Sequence, residues 1–267
     1  MPASPYYKPH QLVELQDGYS TVNPAYERLM GEYLSLRLTN EAAYEYVRHG
    51  FVRRLGTLKR CIENVYSIYP PERSDKPSRE ECLDLAINLQ SFMFNVFGCI
   101  DNVAWIWVKE NHVKDNRARP LQDQHVGLRP TCVTVRGTFS PEFQQYLLSR
   151  GGWFGYLENY RHALAHRIPL YVAPYTLHRS KLDEHNELER RKHKAHQQRD
   201  FDLWLQLDVE QEALGTFTPW IMHSFSENAA PIPFHYQILA DWNTVVEIAD
   251  EFLLELGRSP RPAFSVD

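Results

Sequence analysis

The strongest constraint on this chain is a pair of long segments whose apolar residues recur every three or four positions. In the first, Val47, Phe51, Leu55, Leu58, Ile62, Val65 and Tyr69 keep this spacing, Thr39 or Asn40 can cap its start, and Pro70-Pro71 stops it. In the second, from about Ser78 to residue 110, Leu85, Leu89, Met93, Val96, Ile100, Val103 and Trp107 do the same. Each pattern predicts a helix with one buried face, and a short Pro-containing loop between them predicts an antiparallel pair. A third such stripe, Leu239, Trp242, Val246, Ala249, Leu253 and Leu256, predicts a closing helix ended by Gly257.

Between these helices the signals change. Residues 111 to 138 are polar, with a short alternation at Val133 and Val135 that reads as a strand. Ser140-Pro141 starts a helix that should end at Gly151-Gly152, and another should run from Trp153 to Arg167 before Pro169. Ile168 to Tyr175 and Thr216 to Phe225 read as extended segments able to pair as a small sheet. Between them, Arg179 to Arg199 holds seven Lys and Arg, four Asp and Glu and three His, which predicts a projecting charged helix or a mobile insert. The expected fold is mainly α: a helical bundle over 1–267 as a single domain, with 168–235 an insertion carrying a small β element and a charged helical arm.

Charge and cysteine content narrow the function classes. Residues 1–200 carry 27 Lys and Arg against 23 Asp and Glu, and residues 201–267 carry 2 against 11, so the body is mildly basic and the tail acidic. This permits contact with nucleic acid without requiring it. Arg48, Arg53, Arg54, Lys59 and Arg60 fall largely off the first apolar stripe and read as a solvated basic face. Cys61, Cys82, Cys99 and Cys132 form no CxxC pair, which fits free thiols in a reducing cytoplasm. The first residues lack the basic-then-apolar pattern of a secretory leader, so the chain is expected to begin near Met1. The most apolar run, Ser91 to Val108, is interrupted by Asn95, Asp101 and Asn102 and reads as a buried helix too short to cross a bilayer. Gly-rich phosphate loops, GxSxG and HExxH motifs and dinucleotide fingerprints are missing from the sequence.

One segment carries chemistry: Arg161-His162-Ala163-Leu164-Ala165-His166, at the end of the helix from Trp153. Glu158, His162 and His166 are spaced by four and share a face, with Arg161 offset by one residue. A guanidinium can grip phosphate oxygens and offset charge developing on them, and imidazole moves protons near neutral pH. Where the phosphodiester belongs to RNA, its 2′-hydroxyl supplies the nucleophile, so these groups suffice without a metal ion. Asp101 lies close to the apolar stripe of its own helix, an expensive place for a carboxylate, and with Glu158 it is a candidate partner able to orient His162 or Arg161. A spacing of four also suits His162 and His166 as a metal pair, but no third ligand lies near in sequence and His193 and His196 fall in the charged insert. No metal or other cofactor is expected.

Arg161, His162 and His166 resemble the ribonuclease motif of HEPN domains: an Arg, then Asn, Asp or His, three variable residues and a His. The resemblance covers the motif and the helices at 40–69, 78–110, 141–150 and 153–167, and leaves the last 100 residues unexplained. It implies a helical bundle that dimerises by juxtaposing the motif helices into one composite site. There Arg161 would bind phosphate and His166 act as acid or base in metal-independent RNA cleavage, in a toxin or a stress or defence effector with a possible antitoxin partner. Its other implication is a non-catalytic interaction module, binding protein or nucleotide, in which Arg161 is structural.

Overall fold

A computed structural model describes residues 6–224 and 230–258. Two helices the apolar stripes did not announce, α1 (Pro9–Ser20) and α2 (Val22–Leu34), come first. They bury only Leu15 from α1 and Val22, Leu29 and Tyr33 from α2, too few to draw a stripe.

The first predicted long helix is present and interrupted. It begins as α3 (Glu41–Glu45), capped by Asn40 Oδ1, which accepts from Ala42 N at 2.9 Å and Ala43 N at 3.3 Å. It passes through a π-helical turn (Tyr46–Phe51) and continues as α4 (Val52–Ile68). The second is α5 (Arg79–Glu110), 32 residues long, opened by a capping box: Glu81 N donates to Ser78 Oγ at 3.1 Å and Ser78 N to Glu81 Oε2 at 2.6 Å. α4 and α5 run antiparallel, as Asn64 Nδ2 donates to Asn88 Oδ1 while Arg54 reaches Asn102. Leu55, Leu58, Ile62 and Val65 face Leu89, Met93, Val96 and Val103 in the main core. By length and composition α5 is long enough to cross a bilayer, so shortness does not exclude that role; half of its most apolar window is buried within the protein.

Val133 and Val135 belong to a short helix, α6 (Val133–Arg136), not to a strand. Val135 is buried and Val133 exposed, so the alternation records one anchor in a single helical turn. Ser140 caps α7 (Pro141–Ser149), accepting from Phe143 N, and α8 (Gly151–His166) follows, starting two residues before the expected Trp153. β1 (Tyr171–Val172) pairs antiparallel with β2 (Trp220–Met222), as the two extended segments suggested, and β3 (Ile232–Pro233) adds a third strand in the order β1-β2-β3. Phe225 lies outside the described residues.

The charged insert is an ordered helix, α9 (Leu182–Gln197), folded back on α10 (Phe201–Ala213) around Leu188, Ala195 and Leu207. Arg79 pairs with Glu212 at 2.6 Å and with Asp208, fastening this hairpin to the start of α5. The last helix, α11 (Phe234–Arg258), continues through Gly257, and its most buried line is Ile238, Trp242, Val245, Ile248 and Phe252, rotated slightly from the expected stripe. Its buried polar residues His235, Asp241 and Glu255 are partnered, whereas the buried Trp242 Nε1 has no hydrogen bond among the described residues. His235 bonds the Tyr69 carbonyl at 2.7 Å and Tyr7 Oη at 3.2 Å, Asp241 accepts from Trp153 Nε1 at 2.8 Å, and Glu255 accepts from Ser140 N and Oγ, each at 2.6 Å.

Candidate functional site

The motif helix α8 lies against α5, with Phe154, Leu157, Tyr160 and Ala163 turned inward. That register sends Arg161 sideways onto α5, where its guanidinium carbon stands 4.8 Å from the Phe97 ring centroid. Among the described residues no hydrogen bond or ion pair engages this guanidinium. An arginine shaped into place by an aromatic ring, with its donors unspent, is a ready receptor for an anion.

Asp101, one turn beyond Phe97 on α5, is largely buried, and no hydrogen bond among the described residues reaches its carboxylate. Burial pushes its carboxyl up to about 6, against the opposing pull of the Arg129, Arg161 and Arg54 guanidinium groups. Gly127 closes over it, since a methyl group there would stand 3.7 Å from Asp101 Oδ1. Near neutrality this carboxyl can hold or release a proton, which a bonded ion pair could not do as readily.

Arg129 and Arg54 complete the surroundings. Arg129, from the loop before α6, also stands against Phe97, at 5.7 Å, and donates from Nη1 to Glu158 Oε1 at 3.1 Å; its buried Nε has no hydrogen-bond partner. Arg54 crosses from α4 over Gly98, donating from Nε to Asn102 Oδ1 at 3.1 Å and from Nη1 to Asn95 Oδ1 at 3.0 Å. Arg54 is thus a partly buried strut and not part of a solvated basic face. Asn95, Asp101 and Asn102, the three polar interruptions of the apolar run, all lie at or beside this cluster. They were the sequence signal for it; Arg129 left none.

Glu158 serves Arg129 first, with its Oε1 3.9 Å from His162 Nε2. His162 and His166 are exposed, their ring centroids 6.1 Å apart. Arg161 and His166 diverge, because five residues of α-helix turn through about 140°. The structure therefore brings Arg161 to Asp101, Arg129 and Arg54, and leaves both histidines on the outer face of α8. That face, Gly152, Gly155, Asn159, His162 and His166, is exposed throughout, and a methyl group on Gly152 or Gly155 would meet nothing within 4 Å. Among the described residues no group of three or more His, Cys, Asp or Glu side chains could hold a metal ion.

No family model, curated protein or solved structure matches the chain. The four cysteines are buried free thiols.

Proposed function

We propose that this chain is a metal-independent RNA endonuclease of HEPN type, acting as a homodimer through α8. The observation that carries the reading is the unspent Arg161 guanidinium beside Asp101, at the helix end that also presents His162 and His166 to solvent. In the proposed reaction the RNA 2′-oxygen attacks the adjacent phosphorus, the bond from phosphorus to the 5′-oxygen breaks, and a 2′,3′-cyclic phosphate is left. An imidazole takes the 2′-hydroxyl proton, a second acid protonates the departing 5′-oxygen, and Arg161 offsets charge on the non-bridging oxygens.

Because Arg161 and His166 diverge around one helix, a second copy of α8 is needed to bring a histidine to each arginine. The glycines on the outer face support this, since Gly152 and Gly155 lower helix propensity where, among the described residues, an added methyl group would meet nothing within 4 Å, and small residues let two helices approach closely. Such an enzyme would serve as a toxin or a stress or defence effector, controlled by a binding partner.

The packing of Arg161 on Phe97 also suits a structural arginine in a non-catalytic interaction module. The test is incubation of the purified chain with mixed RNA in excess chelator and analysis of fragment ends. Cleavage leaving 2′,3′-cyclic phosphates is expected; intact RNA with a folded dimer would favour the interaction module.

A further inference from the structure

Trp105 lies one turn beyond Asp101 on the same face of α5, about 6 Å further along the axis. Its indole stacks on Tyr46 of the π-helical turn, ring centroids 5.3 Å apart and planes within 5° of parallel. Lys109 Nζ stands 4.9 Å from the Trp105 ring centroid. Around them is a cavity of about 390 Å³ lined by Trp105, Lys109, His112, Lys114, Leu121 and Asp123, among others. Among the described residues neither Lys109 nor Lys114 has a carboxylate partner, and Asp123 is the one acidic group in the lining. The volume suits a small organic group, and an indole with unpaired ammonium groups beside it is the chemistry that receives a base and its phosphate.

The cavity and the Arg161 cluster share two borders. Arg54, Gly50 and Tyr46 run along one side of α5 opposite Gly98, Asn102 and Trp105: Gly50 abuts Asn102, where an added methyl group would stand 2.8 Å away. The loop between α5 and α6 borders the other side, with Leu121 and Asp123 at the cavity and Gly127 and Arg129 at Asp101. The π turn is the local departure that sets Tyr46 against the indole, and such insertions concentrate at working surfaces.

We propose that this cavity is a nucleotide subsite for single-stranded RNA: a base stacks on Trp105 in place of the Lys109 ammonium, and Lys109 and Lys114 neutralise the adjoining phosphate. It rests on the nuclease reading for the identity of the ligand, and it places the flanking nucleotide next to the one held at Arg161.

The test separates the two. A short fluorescein-labelled 2′-O-methyl RNA, which has no free nucleophile, is titrated against the wild-type chain by anisotropy, while unmodified RNA of the same sequence is assayed for cleavage. Replacing Trp105 by Leu should weaken binding about fivefold or more, with Trp105→Phe recovering most of it. The Lys109→Ala, Lys114→Ala double variant should lower the slope of log affinity against log salt by about 1.4. Oligonucleotides with one abasic position should bind the wild type more weakly, and the position that matters should cease to matter in Trp105→Leu. That coupling is a signature a merely structural tryptophan would not give. If wild-type chain cleaves RNA but no abasic position couples to Trp105, the subsite is overturned and the nuclease reading stands. If the coupling is present without cleavage, the subsite stands and the nuclease reading falls. Absence of RNA binding overturns the subsite.

Discussion

Arg129 Nη1 donates to Glu158 Oε1 at 3.1 Å, a bond that ties the loop after α5 to the helix carrying the histidines. Both groups are partly exposed, so the pair contributes little to stability, within about 1 kcal/mol. Its weight is in placement. Glu158→Ala should shift the melting temperature by only a few degrees and reduce RNA cleavage several-fold, as Arg129 loses its tether and His162 its nearby carboxylate. A large loss of stability with unchanged cleavage would assign the pair to the fold alone.

Asp101 links the site to pH. Its folded-state carboxyl is raised to about 6, above the ordinary aspartate value, so the folded state binds a proton more readily than the unfolded state. Stability from this group is therefore present at acid pH and lost as pH rises from about 4 through 6. Asp101→Asn should raise unfolding free energy by about 2 kcal/mol near neutrality, have little effect near pH 4, and slow cleavage. Chemical denaturation across this range checks it; a variant less stable than wild type at neutral pH would contradict it.

His235 acts in the opposite sense. Burial holds its imidazole down at about 4, so the unfolded chain takes up a proton first as pH falls. The stability it supports is complete above about 6.5 and lost on descent toward 4, up to about 3 kcal/mol. His235→Gln should be less stable near neutrality and lack that part of the acid dependence. Equal slopes for the two chains in paired denaturation series would refute the assignment.

Gly155 separates the fold from the proposed dimer. With open space where its side chain would be, Gly155→Ala should stabilise α8 by up to about 1 kcal/mol, whereas Gly155→Arg should leave the chain folded and monomeric in sedimentation, with cleavage lost. A dimer that persists in Gly155→Arg would move the interface elsewhere.

Much of the fold was legible because α4, α5 and α11 each bury a continuous stripe, and a stripe survives in the sequence. Where burial is sparse the signal fades: α1 contributes only Leu15 to the buried set, and α10 leaves Phe201, Leu205 and Val209 exposed, so neither was expected. Val133 and Val135 misled because one buried and one exposed valine two residues apart mimic a strand over a span too short to distinguish it from a helical turn. In the site, Arg161 and the histidines were visible as a motif and Asp101 as a charge in an apolar run. The convergence of Arg54 and Arg129 on Asp101 was not, since it depends on how α4 and the loop pack on α5.

The most direct test compares wild type, Arg161→Ala and His166→Ala for cleavage of one RNA in excess chelator, with circular dichroism and sedimentation on the same samples. Wild-type cleavage is expected, and its loss in both variants with fold and dimer unchanged. Retention of cleavage in either variant would contradict this, and a fall of several degrees in the melting temperature of Arg161→Ala would mark that arginine as structural.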